Sequence, residues 1–185
     1  QTPYLSIASA RAGNVIGGGD WNKSRIIPDL IEGLFNKKEV IIRNPVSTRP
    51  WQHVLEPLSG YLKLARLLSI NKNNNELTSA FNFGPNLISN QTVNSLVKNC
   101  LLYWEGNVKE IKNLNAPHEA NLLNLSIDKA YHLLNWEPSW SFEKTVEKTI
   151  KWYKDVLFFN KDPLSCCTDD LATFHKDLML QDRKL

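Results

Sequence analysis

The sequence predicts an α/β fold, and three observations carry that prediction. Short apolar segments bounded by polar residues, which are typical of buried parallel strands, alternate with longer segments whose apolar residues recur at helical spacing. The chain has no internal repeat. Its 185 residues are 42% apolar and 22% charged, which is ordinary for a globular protein that can bury a core. Unrepeated alternation of strands and helices is typical of α/β proteins.

The first elements surround a glycine-rich segment. Tyr4 to Ala10 is short and mostly apolar, which predicts a buried parallel strand, and a loop rich in glycine follows over Gly13 to Asp20. Apolar residues then recur at helical spacing from Ile26 to Phe35. This pattern predicts an amphipathic helix that tolerates Pro28 in its first turn.

Two extended segments and a helix come next. We expect a short strand at Val40 to Ile42 and a second extended piece at Trp51 to Val54. Glu56 and Pro57 are suited to a helix N-terminus, where an acid and a proline are favoured. The predicted apolar face of that helix consists of Leu58, Tyr61, Leu62, Ala65 and Leu68.

The second half continues the alternation. A strand is predicted at Ala80 to Phe83, a helix at Thr92 to Trp104 and a further strand at Val108 to Ile111. Three more helices are predicted: one capped by Ser126 and ending near Trp136, one that starts at Ser141 and carries Phe142, Val146, Ile150, Tyr153 and Leu157 on its apolar stripe, and a weaker one at Thr168 to Leu180.

Charge and composition exclude several classes of protein. The net charge of +3 is small and evenly scattered, so we expect no nucleic-acid partner. No apolar run could span a membrane and no signal peptide is visible, which predicts a cytoplasmic protein without a membrane partner. Cys100, Cys166 and Cys167 suit neither a disulfide framework nor a zinc site, and we expect reduced thiols and no metal.

Candidate ligand-binding residues begin in the glycine-rich segment. Three consecutive glycines permit close approach of the backbone to a ligand, and Asn14 places an amide near the carboxyl end of a strand, where α/β sheets bind ligands. The segment is not a dinucleotide-binding fingerprint. A turn that needs glycine only for its conformation remains the alternative interpretation.

Arginines form the second group of candidates. Arg25, Arg43 and Arg49 flank predicted elements, and a guanidinium can pair with two oxygens of a diphosphate at once. A solvated or ion-paired role is the alternative for each of them. We interpret His53 as a structural group, and no nucleophile elbow or catalytic cluster is visible. The residues alone therefore predict a ligand-binding α/β chain without recognisable catalytic machinery.

Several segments resemble one known family. They are ARAGNVIGGGDW at Ala10 to Trp21, IRNPVSTRPWQHVLEPLSGYL at Ile42 to Leu62 and PHEANLLNLSIDKA at Pro117 to Ala130, with RIIPDLI, FNFGP and LNWEP in the same order. They resemble extended short-chain dehydrogenases/reductases, the NAD-dependent epimerases and dehydratases of sugar nucleotides, in particular the branch that dehydrates CDP-glucose. The resemblance covers essentially the whole chain. It implies the carboxyl-terminal part of a Rossmann-type fold, with the last strands of the parallel sheet and a smaller mixed α/β substrate-binding domain.

The resemblance also implies roles for individual residues. Arg25 and Arg49 would hold the diphosphate of a nucleotide sugar, with Asn14 in contact with the sugar diphosphate. Ile26 and Arg43 would lie near the cytosine and the ribose. The remaining implied residues are Ala12 and Gly13 at the nicotinamide end of the NAD pocket, and His118 and Glu119 as polar contacts to the nucleotide.

The resemblance further implies that the catalytic residues lie outside this chain, upstream of Gln1. In the family, the glycine-rich NAD loop and the Tyr-x-x-x-Lys pair precede the strand at the start of this sequence, and none of the five tyrosines here has a lysine four positions later. We therefore expect the carboxyl-terminal half of a dehydratase, inactive alone and homo-oligomeric when whole.

A division into domains follows from the same resemblance. Residues 1–24 would end the NAD-binding domain, and residues 25–185 would mainly form the sugar-nucleotide domain, with some segments returning to the former. Two alternatives to a dehydratase half remain: another nucleotide-sugar epimerase or dehydratase, or a non-catalytic nucleotide-sugar-binding protein.

Overall fold

The computed structural model describes residues 5–71, 74–110 and 123–182. The strands are β1 (Ser9–Ala12), β2 (Asn14–Ile16), β3 (Val40–Ile42), β4 (Thr48–His53), β5 (Ala80–Phe83), β6 (Asn90–Thr92) and β7 (Val108–Glu110). The helices are α1 (Ile26–Phe35), α2 (Leu55–Ile70), α3 (Val93–Tyr103), α4 (Asp128–Leu134), α5 (Phe142–Phe159) and α6 (Pro163–Asp182). The predicted α/β class is confirmed.

The described strands form three small sheets. β1 pairs in parallel with β5, with Ala10 opposite Phe81. β4 lies between β2, which is parallel to it, and β6, which is antiparallel. β3 pairs in parallel with β7. At least one helix lies between the two strands of each parallel pair along the chain, as crossover connections require.

Helix α1 begins and ends where the sequence predicts. Ile27, Leu30 and Leu34 are among its buried residues and lie on the face that packs against β3. The approach is close, because a Cβ on Gly33 would overlap a methyl group of Val40. The helix ends as the N–H of Asn36 donates to the carbonyl of Glu32. This packing holds α1 beside the carboxyl ends of β2 and β3.

Buried apolar side chains form two clusters. The first core joins α1, β3, β4, α3 and α5, and its fully buried members include Leu30, Ile31, Leu96, Val146 and Ile150. The second core joins α2, β5 and α4, and includes Leu64, Phe81, Phe83, Leu134 and Trp136. Gln52 of β4 connects the two, since its Nε2 donates to the carbonyl of Phe83 at 2.8 Å. The same carbonyl accepts the N–H of Gly13 at 3.2 Å.

The first strand and the glycine-rich loop differ from the prediction. β1 begins at Ser9 rather than Tyr4, and its residues are mostly exposed. Leu5 and Ile7, expected in a buried strand, are each 68% exposed because no described element covers them. The segment predicted as a loop contains β2, whose Asn14 lies opposite Trp51. β2 has only three residues and lies between two glycines, so it is too short to show the alternation of apolar and polar residues that predicts a strand.

Helix α2 buries only part of the predicted face, since Tyr61 and Leu68 pack against the second core. Leu58 and Leu62 are 45% and 73% exposed, whereas Glu56, Gly60 and Leu64 are buried. Gly60 decides the orientation, because a Cβ there would overlap the ring of Phe83. The spacing of apolar side chains cannot predict this contact, because glycine has no side chain.

Two helix starts also differ from the prediction. Ser126 does not cap α4, since its hydroxyl donates to Asp128 Oδ2 at 2.8 Å and the helix begins at Asp128. Helix α6 begins at Pro163 rather than Thr168, and Asp162 accepts the N–H of Ser165 at 2.8 Å, as an N-cap does. By contrast, Ser141 caps α5 as expected and accepts the N–H of Lys144. None of the helices within the described residues is long and apolar enough to cross a membrane.

Candidate functional site

A cleft of about 740 Å³ opens between the glycine-rich segment, the first turn of α1, the end of β3 and the side of β4. The residues predicted from the sequence that line it are Gly13, Asn14, Arg25, Ile26, Arg43 and Arg49. Ala12 immediately precedes Gly13 and is not among the lining residues. Positions from four separate segments thus meet in one cavity.

Some of the predicted positions fall where the structure describes nothing. His118 and Glu119, expected to contact the nucleotide, lie outside the described residues. Gln1, upstream of which the catalytic groups are expected, also lies outside them. The described residues therefore leave the expectation of catalytic residues upstream of Gln1 untested, and it stays a prediction.

The glycine-rich segment forms one wall of this cleft and packs against α5 behind it. A Cβ on Gly18 would overlap ring atoms of Trp152. Gly19 has a φ of +83°, a conformation that favours glycine. The hydroxyl of Tyr153 donates to the carbonyl of Asp20 at 2.7 Å, and its ring meets Trp21 edge to face. Packing at Gly18 and backbone conformation at Gly19 therefore explain part of the glycine content, and the second is the kind of reason that the alternative interpretation gives.

Arg25 enters the cleft at the N-terminus of α1, where it stands as the residue before the first helical turn. Its Nη1 lies 3.0 Å from Asp20 Oδ2, while its side chain remains 64% exposed. Asp20 also accepts the N–H and the side-chain amide of Asn22. Burial tends to raise the pKa of Asp20, but the hydrogen bonds from Asn22 and Arg25 outweigh it and lower the pKa. Asp20 is therefore a carboxylate at neutral pH.

Arg43 and Arg49 approach the cleft from the strands. Arg49 lies on β4 opposite Gln91 and is half-buried, and its Nη1 donates to the carbonyl of Thr48 at 2.8 Å. Arg43 directly follows β3 and is exposed. Together with Arg25 they give the cleft a cationic lining. The N-terminus of α1, with its positive end of the helix dipole, adds to that potential.

Apolar side chains supply the rest of the lining. Ile41 of β3 is 54% exposed, and Ile26, Ile27 and Val93 also border the cleft. Exposed branched side chains beside arginines suit a ligand that has a flat apolar group and an anionic group. Asp29 is the other acid of the described lining, and its Oδ1 accepts the N–H of Ser24 at 3.0 Å.

Two buried ionisable residues lie at the end of β4 and the start of α2, on either side of the lining residue Val54 in the sequence. His53 is 2% exposed and packs against Trp140, and burial, with a smaller effect of the Lys148 charge, lowers its pKa to about 3. Glu56 is fully buried and accepts the N–H groups of Ser139 and Trp140. Burial raises the pKa of Glu56 to about 7, although those hydrogen bonds oppose the shift. Neither group is among the lining residues of the cleft, which agrees with a structural role for His53.

Sequence reasoning did not identify Asp20 or Glu56 as important. The sequence signal for Asp20 was its place at the end of the glycine run, five residues before Arg25. Glu56 was interpreted as a helix-dipole acid, yet its partners lie more than eighty residues away in the chain. No group of side chains in the described part of the chain could hold a metal ion.

The chain is similar in sequence to a curated sugar-nucleotide enzyme. No family model matches the chain. The chain is 40% identical over 171 residues to the CDP-glucose 4,6-dehydratase of Salmonella typhimurium, an alignment that covers 92% of this chain and 47% of that protein. The resemblance to sugar-nucleotide enzymes inferred from the sequence motifs is confirmed by this match.

Solved structures agree at the level of the fold. The UDP-glucuronic acid 4-epimerase of Bacillus cereus, in complex with UDP-glucuronic acid and NAD, superimposes with a TM-score of 0.66 at 17% identity, over 82% of this chain and 46% of that one. The dTDP-glucose 4,6-dehydratase of Bacillus anthracis, in complex with NAD, gives a TM-score of 0.61 at 17% identity, over 80% and 44%. The chain thus spans about half the length of the relatives it matches. Its fold is part of the Rossmann-type fold of these epimerases and dehydratases.

Proposed function

We propose that this chain, a relative of the sugar-nucleotide dehydratases and epimerases, is the substrate-binding half of an NAD-dependent enzyme that dehydrates CDP-glucose. The observation that carries the proposal is the single cleft shared by Asn14, Arg25 and Arg49. The 40% identity to a CDP-glucose 4,6-dehydratase supports the choice of reaction and of nucleotide. The catalytic residues of the whole enzyme would lie upstream of Gln1.

The cleft supplies groups suited to each part of a nucleotide sugar. Arg25 and Arg49 would bind the diphosphate, because planar guanidinium groups pair with phosphate oxygens through charge-assisted hydrogen bonds. Ile26 and Arg43 would contact the cytosine and the ribose, and Asn14 would contact the sugar diphosphate. His118 and Glu119 would add polar contacts to the nucleotide. Anchoring the nucleotide would hold the hexose in place, and such remote binding energy lowers the barrier at a distant reacting carbon.

NAD would meet this chain beside Gly13. Gly13 lines the cleft without a side chain, and its N–H is already bound to the carbonyl of Phe83. Ala12 and Gly13 would border the nicotinamide, as in the enzymes that the chain resembles. When bound, NAD would supply hydride acceptance and return. The complexes of the neighbouring enzymes with NAD support this assignment.

The two hydrophobic cores support the proposed domain arrangement. We assign residues 1–24 to the end of an NAD-binding domain and residues 25–185 mainly to a sugar-nucleotide domain. The second core, formed by α2, β5 and α4 beside β1, would comprise the segments that return to the NAD-binding domain. The first core would belong mainly to the sugar-nucleotide domain, although it also contains Ile16 of β2.

Calorimetric titration of the 185-residue chain with CDP-glucose, UDP-glucose and dTDP-glucose tests the proposal. CDP-glucose should bind most tightly, and Arg25→Gln should weaken its binding by about tenfold, as loss of a charge-assisted contact predicts. Arg66→Gln is the matched control, since Arg66 is exposed on α2 and does not line the cleft. A preference for UDP-glucose or dTDP-glucose would overturn the cytosine assignment, and no binding of any nucleotide sugar would overturn the proposed function.

A further inference from the structure

The ion pair between Asp20 and Arg25 places a negative charge where an anionic ligand would bind. Both residues line the cleft, and the carboxylate lies 3.0 Å from the guanidinium. A phosphate oxygen bound by Arg25 therefore lies close to the carboxylate of Asp20, because both groups contact the same guanidinium. Across the described lining, the charged residues are Asp20, Arg25, Asp29, Arg43 and Arg49, which leaves a net charge near +1.

Asp20 is held so that it cannot easily withdraw from an incoming anion. Its carboxylate accepts two hydrogen bonds from Asn22, and its carbonyl accepts the hydroxyl of Tyr153. Gly18, two residues before Asp20, packs against Trp152, and this contact fixes the loop to α5. Asp20 stays ionised at neutral pH for the reasons given above. The charge is thus a permanent feature of the cleft wall.

Nucleotide sugars and free nucleotides differ in a way that such a charge can distinguish. In a nucleotide sugar each phosphate is substituted on two sides, by an ester and by the shared anhydride, and carries one negative charge. In CDP the terminal phosphate is substituted only by the anhydride, and its second proton dissociates near pH ~6, which adds negative charge at neutral pH. A carboxylate beside the phosphate-binding arginine therefore repels the terminal phosphate of CDP more than it repels the sugar-linked phosphate of a nucleotide sugar.

We propose that Asp20 is a specificity-determining residue, which makes the cleft prefer a sugar-linked nucleoside diphosphate over free nucleotides whose terminal phosphate carries no sugar. This inference rests on the proposed function, because it takes a nucleotide sugar as the ligand. Asp20 reduces the electrostatic attraction between the arginines and phosphate. CDP and CTP, which carry more negative charge than a nucleotide sugar, therefore do not occupy the site in its place. Arg25 retains its position through the pair until a phosphate oxygen takes up its free donors.

The test compares the affinities of CDP-glucose and CDP for the wild-type chain and for Asp20→Asn by calorimetry. Asparagine has nearly the same shape and carries no charge, but its single side-chain oxygen can accept from Asn22 or from Arg25, whereas the two carboxylate oxygens accept from both. Asp20→Asn should strengthen the binding of CDP more than that of CDP-glucose. The ratio of the two affinities should change by about threefold, because the substitution removes one partly exposed charge. Raising the pH from about 5.5 to about 7.5, through the ionisation of the terminal phosphate, should strengthen CDP binding more in Asp20→Asn than in the wild type.

Two further variants keep the outcome clear. Asp20→Glu retains the charge and should retain the wild-type preference. Asp169→Asn removes an equal charge from α6, where Asp169 pairs with Lys161 outside the cleft, and should leave both affinities unchanged. Equal weakening of both ligands in Asp20→Asn would mean that Asp20 only positions Arg25, and would overturn the inference while CDP-glucose binding by the wild type upheld the proposed function. Absence of CDP-glucose binding by the wild type would remove both.

Discussion

Gly18 lies flat against the indole of Trp152, so closely that any Cβ at this position would overlap the ring atoms Cγ and Cδ2. Trp152 is 6% exposed and belongs to the first core, so it cannot move aside cheaply. The contact ties the glycine-rich wall of the cleft to α5. A change in the position of α5 would therefore reach the cleft through this contact and through Tyr153.

Gly18→Ala is expected to lower the free energy of unfolding by about 1–3 kcal/mol, the usual cost of overpacking a core, and to weaken CDP-glucose binding. The loop must shift away from Trp152, which moves Asp20 and its partner Arg25. Chemical denaturation and calorimetry measure the two effects. Gly106→Ala is the control, because its Cβ would overlap the buried Leu34 and strain the same core, while Gly106 does not line the cleft. Unchanged ligand affinity in Gly18→Ala would show that the α5 contact does not shape the site.

Arg49→Lys should weaken CDP-glucose binding by about five- to tenfold, because a lysine ammonium cannot make the paired hydrogen bonds of a guanidinium. The substitution keeps the charge and isolates the geometry of the contact. Arg66→Lys, on the exposed face of α2, provides the matched control and should bind like the wild type. Equal affinities for all three proteins would indicate that Arg49 acts only through its charge.

The parts of the fold that the sequence predicts well are those determined by local pattern. The helix at Ile26 to Phe35 is found with the same bounds, because its apolar residues form one stripe. The chemistry of the residues themselves already indicates Asn14 and the three arginines, the resemblance adds their implied roles, and they share the cleft. By contrast, the buried face of α2 depends on Gly60 meeting Phe83, and the partners of Glu56 follow it by more than eighty positions. Such contacts exist only after folding and leave no local periodicity.

Glu56→Gln tests the buried carboxyl that joins α2 to the start of α5. The pKa of Glu56 is raised from 4.5 to about 7, so the folded state binds this proton more tightly than the unfolded state does. Its contribution to the free energy of unfolding should therefore be greatest below about pH 4.5 and fall as the pH rises through about 7, by on the order of 3 kcal/mol. Glutamine can accept the same backbone N–H groups and does not titrate. In urea unfolding the variant should lack this contribution, so that its free energy of unfolding rises with pH between about 4.5 and 6.5, where the opposed effect of His53 remains; a fall over this range would assign the decline to another group.

His53→Gln tests a contribution to the free energy of unfolding that has the opposite dependence on pH. The pKa of His53 falls from 6.5 to about 3 through burial and, second, the Lys148 charge, so the folded state resists protonation. Its contribution is complete above about pH 6.5 and is lost as the pH falls toward about 3. In the wild type the slopes of His53 and Glu56 oppose each other between about pH 4.5 and 6.5, and stability should vary little there. Removing His53 should expose the Glu56 decline, so that His53→Gln loses stability with rising pH over a range where Glu56→Gln gains it. Parallel pH profiles for the two variants in urea unfolding would contradict the opposed pKa shifts of the two groups, because opposed shifts require slopes of opposite sign.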